Sequence, residues 1–333
     1  MNEISAGERV KGGLLGAFIG DALAMPVHWY YETDKLRADY GHVTDYLAPR
    51  HPHADSFMEE CSYQAPNPRG EILHDQAQYW GKAGIHYHRG LKPGENTLNL
   101  QLARQVWTGL HEDGGYDVTK QLRRYIHFMT TPGQHHDTYI ERCHQHFFQQ
   151  YAEGRDPLHC GRPGEKHLGG VAPLIPIIAF YHDNPEAGRI AALQHLHLTH
   201  LGEPMRHAAG FLAGSLQAVL AGRSLDEALR RQIAVNPLLK HPFDQLLKLS
   251  DEEVVGERFK TACYVEDAIP SVVYLALKHG NDPEQALIAN TNLGGDSCHR
   301  GALLGALLGA AHGAAAWPER WVRGLVAAPV VST

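Results

Sequence analysis

Apolar residues recur at intervals of three and four along segments 10–24, 97–110, 206–221, 266–279, 283–290 and 301–316. Sustained period-two alternation rich in Val, Ile and Thr is nearly absent, so the pattern predicts an all-α chain. Pro/Gly/His-rich stretches at 47–75, 131–137 and 154–170 interrupt the helical pattern. Loops of that length in a compact domain are usually functional or mobile, and none is expected to mark a domain boundary. Without a fixed-period repeat or low-complexity tail, residues 1–333 are expected to form one domain with long excursions.

Two of the predicted helices carry glycine at every fourth position: Gly12, Gly16 and Gly20 in the first, and Gly301, Gly305, Gly309 and Gly313 in the last long one. Glycine costs about 1 kcal/mol against alanine inside a helix, so such a row needs a packing reason. The two helices are expected to sit at the centre of the molecule, against each other. An antiparallel arrangement would bring Asp21 and His28 near 294–300. The alternative is that each glycine face packs a different helix.

Hydrophobic residues make up 43% of the chain and charged residues 20%, too apolar for a disordered polymer. A formal charge of −7 supplies no basic footprint for nucleic acid or an anionic membrane, which leaves a small substrate or a folded partner. Five scattered cysteines without a CxxC pair, and an N-terminus without a secretory pattern, suit a reducing cytoplasm. The apolar stretch 301–317 is shorter than the roughly 20 residues that span a bilayer and carries His312, so it is read as a buried helix. Nothing in the sequence distinguishes a monomer from a small homo-oligomer.

Three polar clusters sit where helices begin or end. NLGGDSCHRG (292–301) places two glycines, an acid, a hydroxyl, a thiol and an imidazole just before a helix, a natural seat for phosphate. Asp296 or Ser297 could equally be a plain N-cap, and Cys298 a small buried side chain. PGENTLNLQL (93–102) presents Glu95, Asn96 and Thr97 at a helix start. GDALAMPVHWYY (20–31) lies where the first helix must end, because Pro26 disfavours helix in the residue before it.

In order and position, GDALAMPVHW (20–29), GENT (94–97) and GGDSCH (294–299) resemble the three motifs of the ADP-ribosylglycohydrolase family. VAPL (171–174) and Thr199–His200 are similar to further landmarks of that family. The resemblance covers nearly the whole chain and implies a compact orthogonal multi-helix fold with long loops. It also implies hydrolysis of an N- or O-glycosidic bond of ADP-ribose, in an ADP-ribosylated protein or a small ribosyl metabolite. Metal-dependent members hold two Mg²⁺ or Mn²⁺ ions on Thr-Asp-Asp and Asp-x-Asp-Thr groups. Here Asp296 alone keeps its identity: Gly94, Glu95 and Asn96 replace the first set, and Cys298 and His299 the rest of the second.

Losing anionic oxygen ligands weakens a site for hard cations, and three arrangements follow. Glu95 and Asp296 act as a metal-free carboxyl pair; or His28, Cys298, His299 and an acid bind a softer ion such as Zn²⁺; or Glu95 and Asp296 hold a single Mg²⁺ or Mn²⁺. In each, Glu95, Asp296 and His299 are the expected catalytic groups. Gly294 and Gly295 would cradle the diphosphate. His28, Trp80, His88, Asn96 and Ser297 are expected to contact substrate. A Trp/Tyr stretch around Trp80 and Tyr87 is also an ordinary packing pattern, and most of the 24 histidines scatter without one ligand spacing. Asp21 is read as support for the first turn. The Pro-x-His-Trp and Gly-Gly-Asp-x-Cys-His variants resemble the branch that includes the J-type lens crystallins, which implies an alternative: an inactive structural or ADP-ribose-binding protein.

Overall fold

The computed structural model describes residues 4–328, so the outermost residues of the expected 1–333 span lie outside it. Up to residue 197 the chain contributes α1 (Ala6–Ala24), α2 (Thr33–Tyr40), α3 (Leu98–Asp113), α4 (Val118–Thr130), α5 (Arg142–Ala152), α6 (Leu174–Phe180) and α7 (Pro185–His197). The remainder contributes α8 (Glu203–Leu220), α9 (Leu225–Val235), α10 (Phe243–Leu246), α11 (Asp251–Val254), α12 (Val265–Lys278), α13 (Pro283–Asn292), α14 (Ser297–His312) and α15 (Glu319–Gly324). The strands among the described residues are β1 (Arg162–Pro163) and β2 (His200–Leu201), a short parallel pair with Arg162 opposite His200. The all-α expectation holds, and the three Pro/Gly/His-rich stretches contain no α-helix.

α1 and α14 form the central pair. The space that a side chain would need at Gly12, Gly16 and Gly20 is filled by the backbone of Gly309, Gly305 and Gly301 respectively, and the reverse holds from α14. This succession makes the helices antiparallel and brings their backbones into contact, as the glycine spacing predicts. Gly313 departs from the expected row: it ends α14 with a positive φ of 78° and is not part of the helical face. The surrounding hydrophobic cluster runs from Val10 to Leu325 and draws on α3, α6, α8 and α12. Residues Ala6–Val27 are long and apolar enough by length and composition to cross a membrane, but 94% of their most apolar window is buried inside the fold.

α1 starts at Ser5, whose hydroxyl accepts from the Glu8 N–H. It ends at Met25, and Pro26 continues into a single 3₁₀ turn. The chain then places Trp29 in the left-handed region (φ 62°), a costly conformation for a bulky residue and a frequent mark of a functional segment. α14 begins beside that turn.

Candidate active site

The loop before α14 is built on two left-handed glycines, Gly294 (φ 65°) and Gly295 (φ 61°), each pressed so closely that a side chain would strike Tyr30 or Thr261. The Gly295 N–H donates to the Tyr30 carbonyl (2.6 Å), the Asp296 N–H to that of Thr261 (2.8 Å), and the Ser297 N–H to that of Gly295 (2.8 Å). The Trp29 N–H returns a bond to the Gly295 carbonyl (2.8 Å), and Arg300 Nη2 donates to that of Gly294 (2.7 Å). This corrects the expectation that Gly294 and Gly295 cradle a diphosphate. Both amides are engaged, that of Gly294 by the Thr291 carbonyl (3.3 Å) and that of Gly295 by Tyr30, and the Ser297 hydroxyl is buried away from the clefts described below.

Asp296 occupies the N-cap position of α14 yet makes no capping bond. Its carboxylate turns inward instead, where Oδ1 lies 2.9 Å from His28 Nε2 and 2.7 Å from His299 Nδ1. The first contact is a hydrogen bond; the second is a charge contact outside hydrogen-bond angles. A helix N-terminus thus points its dipole at an acid that is bound to two imidazoles rather than to the helix. From His28 the chain of contacts continues: Nδ1 meets His88 Nε2 at 2.6 Å, and His88 Nδ1 meets Asp137 Oδ1 at 2.7 Å. The Asp296–His28–His88–Asp137 series therefore needs three bridging protons, one more than two neutral rings supply. Asp137 also accepts the N–H groups of Leu98 (2.8 Å) and Thr138 (2.9 Å), which fixes it to the start of α3.

On its other side His299 faces Asn99 and Glu141. Asn99 Nδ2 lies 2.8 Å from His299 Nε2 and donates to Glu141 Oε1 at 3.0 Å, while His299 Nε2 stands 3.7 Å from the same carboxyl. With its nitrogen toward the ring Asn99 donates to a neutral imidazole; with its oxygen turned there it accepts from a protonated one.

Charge separates these groups. Burial alone would raise Asp296, but the His299 charge and the bond from His28 outweigh it and hold the carboxyl well below the usual range. Burial pushes His28 down to about 3, against the pull of Asp296. Burial also disfavours a charged His299, yet Asp296 and Glu141 overcome this and raise it to about 9. Glu141 moves up because burial dominates the nearby cations.

Two hollows meet at Glu141, Trp29 and Tyr139. One is an open cleft of about 760 Å³ walled by Trp29, Tyr31, Phe57, Tyr139 and Tyr264, with Arg142, Arg162, Lys166 and Glu266 at its polar side. The other is a nook of about 10 Å³ lined by His28, His88, Asp137, Asn99, Glu141 and His299. The large one offers surface for a substrate; the small one has room for about a single water.

His28, His88, Asp296 and His299 are therefore brought together, whereas Glu95 is not. Its carboxylate accepts the Lys92 N–H (2.7 Å) and pairs with the half-exposed His136 (3.0 Å), partners that Asp296 does not share. A turn through Gly94 (φ 80°) sends Glu95 outward and Asn96 and Thr97 inward, which corrects the expected Glu95–Asp296 pair both as catalyst and as metal site. Asn96 is also not a cleft residue: Nδ2 donates to Asp21 (2.8 Å) and to the Phe18 carbonyl (2.8 Å). Asp21, which further accepts the Thr97 N–H and hydroxyl, is a support. Trp80 stacks behind Tyr139 (centroids 5.7 Å apart, planes 11° apart) and does not line the cleft. Cys298 is buried with Sγ 3.4 Å from the Asp21 carbonyl. Asp137, Tyr139 and Glu141 escaped the sequence reading, because the segment Asp-Thr-Tyr-Ile-Glu (137–141) carries neither a hydrophobic period nor a motif that would mark it. Among the described residues, His28, His88 and Cys298, and likewise His28, Asp296 and His299, have ligand atoms within 4.8 Å of one another.

An uncharacterized protein of Archaeoglobus fulgidus is 24% identical over 326 residues, covering 96% of this chain and 92% of its own. The solved structure of an ADP-ribosylglycohydrolase-related protein complex matches with a TM-score of 0.64 over 96% of this chain and 93% of its own at 22% identity, a likeness of fold. The sequence profile of ADP-ribosylglycohydrolase matches residues 2–331, nearly the full length, and the chain belongs to the ADP-ribosylglycohydrolase family.

Proposed function

We propose that this protein hydrolyses the N- or O-glycosidic bond of an ADP-ribosyl compound, with Glu141 as the acid that meets the substrate and the His28–His88 chain as the acceptor of a water proton. Family membership implies a glycohydrolase acting on ADP-ribose or an ADP-ribosylated compound. The observation that carries the residue assignment is the position of Glu141, with its carboxyl raised by burial, where the aromatic cleft opens into the imidazole-lined nook.

The sugar would lie at that junction, with its aromatic or aliphatic aglycone against Trp29, Tyr31 and Tyr139. Glu141, whose carboxyl burial raises above the ordinary carboxylate value, delivers a proton to the leaving atom from the cleft side. A water in the nook attacks the anomeric carbon, and its proton passes into the chain between Asp296 and Asp137. Asp296 is fully buried behind His28 and His299, so it acts through those rings as a positioning residue. Its negative charge also favours an oxocarbenium-like transition state.

A pair of oxygen-bound Mg²⁺ ions does not fit these donors, because the oxygens of Asp21 and Asp137 are already taken and Glu95 points elsewhere. The unpartnered, fully buried Asp296 Oδ2 beside two imidazoles suits one cation that accepts nitrogen, such as Mn²⁺ or Zn²⁺, held by His28, Asp296 and His299. Such an ion would supply a polarised water at neutral pH.

The test is a mass-spectrometric hydrolysis panel of ADP-ribosyl-arginine, ADP-ribosyl-serine and O-acetyl-ADP-ribose, run with wild type and with Glu141→Gln. Release of ADP-ribose by the wild type and its loss in the variant is the expected result. A folded wild type that turns over none of them with any of Mg²⁺, Mn²⁺ or Zn²⁺ would remove the enzymatic reading.

A further inference from the structure

A second group of donors lies behind the cleft wall, apart from the Asp296 cluster. Glu141 is the N-cap residue of α5 and Cys143 follows two positions later. His200 belongs to β2, held beside Arg162 of β1. A carboxylate oxygen of Glu141, the Cys143 sulfur and a ring nitrogen of His200 all lie within 4.8 Å of one another, and Sγ stands 3.9 Å from Glu141 Oε2. Cys143 and His200 are each 1% exposed.

His200 supplies the independent sign of a ligand. Thr199 Oγ1 engages its Nδ1 at 2.8 Å, while Nε2 is fully buried and has no partner. The ring is not loose, because it fills the space where Gly170 lacks a side chain. An unpaired imidazole nitrogen in the interior costs roughly 1–3 kcal/mol, and a ring oriented through its other nitrogen is the usual arrangement of a metal-bound histidine. Zn–S near 2.3 Å and Zn–O near 2.0–2.2 Å in a tetrahedron put sulfur and oxygen about 3.5 Å apart, so the Cys143–Glu141 pair needs to close by only a few tenths of an ångström, with the His200 nitrogen within 4.8 Å of both. One thiolate, one imidazole and one carboxylate are soft and borderline donors, poorly suited to Mg²⁺. Glu141 also lines the 760 Å³ cleft, which gives water a route to a fourth position.

We propose that Glu141, Cys143 and His200 bind one zinc ion, at a site distinct from the His28–Asp296–His299 group. Glu141 contributes Oε2 and keeps Oε1 toward Asn99 and His299. A bound ion therefore holds Glu141 as a carboxylate and withdraws it from proton donation.

The test uses full-length protein stripped with a chelator and titrated with Zn²⁺ or Co²⁺ alone. Metal content and the near-ultraviolet thiolate–cobalt absorption are read directly, so neither depends on hydrolytic activity. Wild type and Cys298→Ser should show the absorption and Cys143→Ser should lack it. His200→Gln should weaken zinc binding by more than about 10-fold. It also serves as the second variant if Cys143→Ser does not fold. No absorption in wild type overturns the site, as does its persistence in Cys143→Ser. Loss of it in Cys298→Ser would assign the ion to the His28–His88–Cys298 group and overturn the site equally.

Discussion

Replacing one glycine by alanine should have opposite signs at two places in this molecule. At Gly16 in α1 the new methyl meets the Gly305 carbonyl and the Trp317 ring, and at Gly210 in α8 it meets nothing within 4 Å. Both positions are helical with ordinary φ, so both gain about 1 kcal/mol of helix propensity. At Gly16 the obstacle is backbone on the facing helix, which has no rotamer to change. The central pair must separate along its length, and overpacking of that kind costs about 3 kcal/mol. The net expectation is a loss of about 2 kcal/mol for Gly16→Ala and a gain of up to about 1 kcal/mol for Gly210→Ala. Urea unfolding followed by circular dichroism gives both values, provided the slope is unchanged from wild type. The loss at Gly16 should also lower hydrolysis, since separating α1 from α14 draws His28 away from Asp296. If Gly16→Ala were as stable as Gly210→Ala, close backbone contact could not be what holds the central helices.

Glu141→Gln should lower turnover by about 10²-fold or more, whereas Glu95→Gln, turned toward His136, should stay within about twofold; steady-state kinetics on one ADP-ribosyl substrate separates the two, and the reverse order would return Glu95 to the site. Gly295→Ala forces alanine to φ 61° and into Thr261, so a loss of about 2–4 kcal/mol in urea unfolding is expected, and wild-type stability would refute the bolted loop. Asp251 is buried in part, which alone would raise it, but a bond from His279 (2.8 Å) and contacts with Tyr274 and Lys278 lower its carboxyl below the ordinary value of 3.8. Its stabilisation is therefore full above the unfolded pKa and is lost as pH falls through the lower folded one. Asp251→Asn should be less stable than wild type by about 1 kcal/mol at pH 7, and the gap should close under more acidic conditions; a gap that widens in acid would contradict the sign.

The glycine rows were legible because a helix has a fixed period: four residues apart means one face, and two such faces in one chain have few other ways to hide bare backbone. From their antiparallel contact the meeting of His28 with Asp296 follows, without any further signal. Glu95 and Asn96 show where that logic stops. They lie in a loop, where adjacent residues have no common direction, and the turn at Gly94 decides which of them faces inward. The same holds for Gly294 and Gly295, which are the residue types of a phosphate loop. Whether their amides stay free depends on the packed loop: Tyr30, far away in sequence, claims the Gly295 amide and Thr291 the Gly294 amide, while Thr261 takes that of Asp296. Asp137, Tyr139 and Glu141 had no such signal: Asp-Thr-Tyr-Ile-Glu (137–141) follows neither the helical nor the strand period, and only the packed fold turns these side chains to the site. The site is thus assembled from one helical meeting that sequence spacing encodes and from extended loops whose directions only the packed fold determines, which is why Asp296 could be found from its motif and Glu141 could not.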